Sequence, residues 1–154
     1  MTAAVVAGAL VVAGLNAIAG LVGARLWYAG VPSERAARTF WVLLRVGQGA
    51  ALLLAVAVGA LAAAGSYPHE HLFYLYALLP LAVAFIAEQL RVASAQTVLD
   101  QRGLAGAEAV GELPQEAQRG LVVAIVRREI GVMAASALVV LFLALRAAST
   151  AHGF

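Results

Sequence analysis

Seven polar side chains stand where a very apolar chain has little reason to hold them: Arg45, Gln48, Glu88, Gln89, Arg91, Arg127 and Glu129. Guanidinium groups hold carboxylates and phosphates by charge-assisted, often bidentate hydrogen bonds. Carboxylates beside them neutralise an empty site and can carry a proton. Arg45 and Gln48 are three residues apart, as are Glu88 and Arg91, so each pair shares one face of a helix. Arg127, Arg128 and Glu129 are consecutive in "AIVRREIGVMAA". Successive helical residues point about 100° apart, so these three cannot all face one way. One is expected to face inward and another the headgroups. Glu129 shares a face with Met133 and Ser136, a stripe that reaches inward.

The chain around these residues is 154 long, 64% hydrophobic and 12% charged, with a mean hydropathy of +0.94. A soluble domain is about half apolar and a quarter charged. The excess marks a membrane protein, in which lipid removes the need for a polar exterior. All ten basic residues are arginine, spread along the chain, so no nucleic-acid partner is expected. There is no cysteine. That excludes disulfides, thiol relays, thiolate metal sites and iron–sulfur clusters, and with them quinone-linked thiol oxidoreductases.

A spanning helix needs about 20 mostly apolar residues. Four segments qualify, at about 3–28, 40–64, 71–93 and 120–146, and predict an all-α, four-transmembrane-helix bundle in a single domain, 1–154. None alternates polar and apolar with period two, which argues against a barrel. The first segment lacks the basic flank of a signal peptide and is too long for its apolar region, so it reads as a retained span. Gly30 and Pro32 should end the first helix and Ser33 cap the second. "GSYPHE" reads as a tight turn. The third connection, about 94–119, is long and mixed; span three can continue into it, and Pro114 suits the start of the last helix. Nine of the ten arginines flank the first and third connections: residues 25, 35, 38, 45, 91, 102, 119, 127 and 128. Positive residues stay inside. The expected placement is therefore a bacterial-type inner (plasma) membrane, with both termini outside and the first and third connections cytoplasmic.

With that threading, Arg25, Arg45, Glu88, Arg91, Arg127, Arg128 and Glu129 fall in one layer near the cytoplasmic face. Such arginines can simply snorkel to headgroups. The alternative is an inward-facing polar pocket. Gln48 lies one turn deeper than Arg45, and Gln89 has no anchoring role. Asn16 is the one strongly polar residue deep in span one, among small neighbours Ala9, Ala13, Gly20 and Gly23. It reads as packing glue or as a ligand contact. Gly47, Ala51, Ala55, Gly59 and Ala63 recur every fourth residue. This small-residue ridge serves contact inside the bundle or, alternatively, a homo-oligomer seam. His69 and His71 flank Glu70 in a turn, a weak metal signal with no third ligand at a fixed spacing. No metal and no cofactor are expected. No histidine lies in the interior of a span, which argues against bis-histidine haem. Pro80 sits mid-span and frees a backbone carbonyl. No nucleophile elbow, phosphate loop or dinucleotide fingerprint is present.

Four spans in about 150 residues, with external termini and an arginine-rich inner-leaflet layer, resemble the membrane-associated eicosanoid and glutathione enzymes. "SERAAR" at 33–38 and "RVASAQT" at 91–97 look like segments around that family's second and third spans. The family's Arg-Asn-x-x-Glu continuation falls here on Trp41, Val42 and Arg45, and the connection lengths differ. The resemblance, over about a tenth of the chain, is one of architecture. It implies an enzyme acting on a lipophilic substrate with a cytoplasmic thiol cosubstrate. The leading expectation is different: a non-enzymatic bundle whose pocket binds or transports a small anionic or amphiphilic molecule, held by Arg45, Gln48, Glu88, Gln89, Arg91, Arg127, Glu129 and Asn16. A third reading is a scaffold or accessory subunit with no ligand.

Overall fold

The computed structural model describes residues 2–30, 33–104 and 107–152. Among these the regular structure is all α-helix, with no strand. The helices are α1 (Thr2–Ala29), α2 (Glu34–Ala63), α3 (Leu72–Gln101), the short α4 (Ala107–Gly111) and α5 (Gln115–Thr150). α1, α2, α3 and α5 are each long and apolar enough to cross a membrane. The chain is thus a multi-pass, four-helix membrane bundle. Helices are how such segments satisfy every backbone group where no water is at hand.

Local signals set the helix ends. Gly30 follows α1 with φ +86°, a left-handed conformation that costs a glycine little. Its N–H donates to the Leu26 carbonyl at 3.3 Å. Pro32 lies outside the described residues. Ser33 caps α2, accepting from the Ala36 N–H at 3.3 Å. Gly65, at φ +81°, ends α2 in the same way. Pro80 is buried inside a continuous α3. α3 does run on into the third connection, to Gln101, and Pro114 stands immediately before α5.

The four long helices pack in a ring, α1 and α3 each touching both α2 and α5. α1 and α5 meet most extensively, and α2 and α3 meet far less. Successive helices run antiparallel, so the start of α1, the 64–71 turn and the end of α5 share one end. There the His69 N–H donates to the His152 carbonyl at 2.9 Å.

The core lies in three layers. Val5, Ala9, Val58, Phe73, Ala77, Ala147 and Ala151 fill the end that holds the termini. Val12, Ala13, Ala51, Val140 and Ala144 fill the middle. Phe40, Leu44, Ile130 and Met133, with smaller residues, fill the far end. Lipid tails are as apolar as leucine, so helices here associate through close packing rather than burial from water. Small residues in the middle layer permit that approach. Gly20 faces Leu138, and Gly23 faces Phe40 and Ala134. The outer faces carry Leu21, Leu53, Phe85 and Phe142, each between 66% and 71% exposed, as a lipid-facing surface requires. The ridge on α2 divides: Gly47, Ala51 and Ala55 are buried in the bundle, whereas Gly59 and Ala63 are exposed.

Candidate functional site

Arg45 lies about three turns into α2, at the end of the bundle away from the termini. Its Nη1 donates to Gln48 Oε1, one turn along, at 2.7 Å, and to Glu88 Oε1 on α3 at 2.5 Å. The second carboxylate oxygen of Glu88 accepts from Arg91 Nε at 3.0 Å. Arg91 Nη1 in turn stands 3.9 Å from Glu129 Oε2 on α5, and its guanidinium lies over the Trp41 ring of α2, 5.4 Å from the centroid. The charges alternate, Arg45, Glu88, Arg91, Glu129, and tie three helices together. As a set they are neutral, which is how ionisable groups persist near hydrocarbon.

This row is open at one end. The side chain of Arg45 is 52% exposed, against 26% for Glu88, 31% for Arg91 and 20% for Glu129. Arg45 also stands between two hollows. One, of about 290 Å³, follows the loose α2–α3 interface; it is lined by Gln48 and Glu88 at one end and by Leu52, Leu81, Ala84 and Phe85 beyond. The other, of about 720 Å³, lies along the outer side of α2 beside Arg38, Trp41 and Arg45. A half-free guanidinium beside an apolar groove suits a molecule with an acidic head and an apolar body.

The structure thus gathers Arg45, Gln48, Glu88, Arg91 and Glu129 and sets the other three candidates apart. Gln89 is exposed, one residue round from Glu88. Arg127 reaches the opposite way. Its Nε donates to the Trp27 carbonyl at 2.9 Å, and its guanidinium lies 5.6 Å from the Trp27 ring centroid. That carbonyl belongs to the last turn of α1, where carbonyls lack helical partners and a cation is favourable. Arg127 therefore caps α1. Asn16, 1% exposed, donates to the Val12 carbonyl at 2.9 Å and to the Gly47 carbonyl at 3.4 Å. It fastens α1 to α2 against the bare backbone of Gly47. The consecutive charges of α5 are thereby sorted: Arg127 caps α1, Arg128 stays exposed, and Glu129 joins the row.

Arg38 and Trp41 belong to the neighbourhood of Arg45 and were absent from the sequence-based set. Their spacing, 38, 41 and 45, is that of one helical face, and this is the signal that could have found them. The hydroxyl nearest Arg91, that of Ser94, donates to Arg91's own carbonyl at 2.7 Å, so it is turned to the backbone. His69, His71 and His152 are exposed, and no group of three or more metal-ligating side chains occurs among the described residues.

Comparison of the chain with protein-family models, with curated proteins and with solved structures gave no match.

Proposed function

We propose that this is a membrane-embedded binding protein for a small anionic amphiphile, which enters the α2–α3 groove from the inner leaflet and places its acidic head on Arg45. Transport of that molecule is the natural extension, with Glu88 and Glu129 able to carry a proton. The observation that carries the reading is the half-exposed Arg45 guanidinium, bonded to the Gln48 and Glu88 side chains that line the charged end of an apolar groove. The arginine bias of the first and third connections supports a cytoplasmic opening, and so a plasma (inner) membrane location. Glu88 and Gln48 accept hydrogen bonds from Arg45. An incoming carboxylate or phosphate competes with Glu88, which keeps its second link to Arg91. The apolar body then lies along Leu52, Leu81 and Phe85.

The test is ligand-dependent thermal stabilisation of the purified protein in a neutral detergent. Long-chain fatty acids and alkyl phosphates are compared with the alcohols of equal length. The acids should stabilise the protein and the alcohols should not. Arg45→Ala should remove the effect and Arg45→Lys should keep part of it. Equal stabilisation by acid and alcohol contradicts the reading.

A further inference from the structure

On the opposite side of the bundle, α1 and α5 enclose a hollow of about 510 Å³. We infer that it is a binding site for an anionic phospholipid, with an acyl chain along the groove and the headgroup on Arg128. The walls are Ala24, Trp27, Val132, Ala135 and Leu138, and Arg128 is the one charged residue lining it. Gly131 gives the groove its shape. The Trp27 ring lies against its bare backbone, and a Cβ there would stand 2.7 Å from Trp27 Cδ1. An indole at one end of an apolar slot is the usual furniture of the headgroup level.

Charge selects the occupant. Arg128 is exposed and takes part in no ion pair among the described residues, unlike Arg45 and Arg91. Its neighbour Arg127 does not line the groove but lies over the Trp27 ring that does, 5.6 Å from the centroid, so a second guanidinium stands one side chain away. No carboxylate lines the groove; Glu129, about 100° round the helix, is engaged with Arg91 instead. A zwitterionic headgroup brings an ammonium that finds no acceptor acid here and meets two cations. A net-negative headgroup brings the phosphate without it. Simple anchoring takes any phospholipid phosphate, whereas this corner discriminates. The apolar length of the groove commits the site to a lipid rather than to free phosphate.

Trp27 lines the groove and reports its occupancy. In a Trp41→Phe variant, Trp27 is the remaining tryptophan, and its fluorescence can be quenched by lipids brominated on the acyl chain. Brominated phosphatidylglycerol is titrated against brominated phosphatidylcholine in detergent micelles. The anionic lipid should quench at about fivefold lower mole fraction, as expected for one well-placed basic residue near a membrane surface. Arg128→Ala should abolish the difference, Arg128→Lys should retain it, and soluble glycerol phosphate should not reverse the quenching. Native mass spectrometry of the unsubstituted protein, comparing retention of the two lipids, gives the same answer without relying on any variant. Equal quenching by both lipids, a preference that survives Arg128→Ala, or reversal by glycerol phosphate would each overturn the inference.

Discussion

Arg45 on α2 and Glu88 on α3, 43 residues apart in sequence, meet through a 2.5 Å hydrogen bond. Each of the four helix interfaces carries such a polar link in this half of the bundle. Asn16 joins α1 to Gly47 on α2, Arg45 joins α2 to Glu88 on α3, Arg91 joins α3 to Glu129 on α5, and Arg127 joins α5 to Trp27 on α1. The Arg45–Glu88 link crosses the interface with the least packing, beside a groove. It is the link a ligand can replace.

Because both partners are partly exposed, the Arg45–Glu88 link should add little to stability. A double-mutant cycle with Arg45→Ala and Glu88→Ala, read by thermal unfolding in detergent, should give a coupling of about 0.5 kcal/mol. A coupling of several kcal/mol would mean that the pair is structural and too costly for a ligand to open.

Removing Glu88 should have the opposite effect on binding. Glu88→Gln takes a competing negative charge from Arg45 while keeping a side chain of the same shape. Acidic amphiphiles should then bind about twofold more tightly, the equivalent of about 0.5 kcal/mol. Weaker binding in this variant, measured by the same thermal-shift titration, would place Glu88 among the groups that hold the ligand.

Arg127 should behave as a cap. Arg127→Ala loses a charged donor at the last turn of α1 and a cation–π contact, together about 1 kcal/mol. Lysine at this position keeps the charge but not the planar donor, and should lose about half as much. Ligand affinity at Arg45 should stay unchanged in both variants. A loss of affinity without a loss of stability would return Arg127 to the binding site.

The glycines should separate by what faces them. A Cβ on Gly23 would overlap the ring of Phe40 and come 2.7 Å from the Ala134 Cβ. Phe40 is fully buried and has little room to yield, so Gly23→Ala should cost about 2 kcal/mol. At Gly20 the close neighbours are Leu138 Cδ2 and Cγ, at 2.6 and 2.8 Å, with the Leu138 backbone N at 3.4 Å; Leu138 is only partly buried and its side chain can turn, so the cost should be smaller. Gly59 has nothing within 4 Å; Gly59→Ala should be neutral or stabilise by up to about 1 kcal/mol. Equal losses at all three would contradict the packing described here.

The spans were legible because a membrane demands about 20 apolar residues in a row and this chain supplies four such runs. The cluster was partly legible for a local reason: Arg45 with Gln48, and Glu88 with Arg91, are paired by helical spacing. Which way Arg127 turns was not. Its partner is the Trp27 carbonyl, 100 residues away, and this contact exists because α1 and α5 pack antiparallel at a particular height. Trp41 stands near the start of an apolar span, and the charged residues at helical spacing from it, Arg38 and Arg45, do not reveal its partner on α3. Its contact with Arg91 depends on how α2 faces α3, which no local pattern encodes. The ridge on α2 shows the same limit. Its period is uniform, but Gly47, Ala51 and Ala55 are enclosed and Gly59 and Ala63 are not, because a four-residue step turns about 40° further round a helix of about 3.6 residues per turn each time and carries the far end of the ridge away from the bundle.

The most direct measurement is a binding isotherm for one long-chain acidic amphiphile on the unsubstituted protein and on Arg45→Ala, with the alcohol of equal length as control. Saturable binding of the acid that Arg45→Ala abolishes, with no saturable binding of the alcohol, is the result expected. Acid binding of equal affinity in both proteins would contradict the assignment of Arg45 as the group that receives the head.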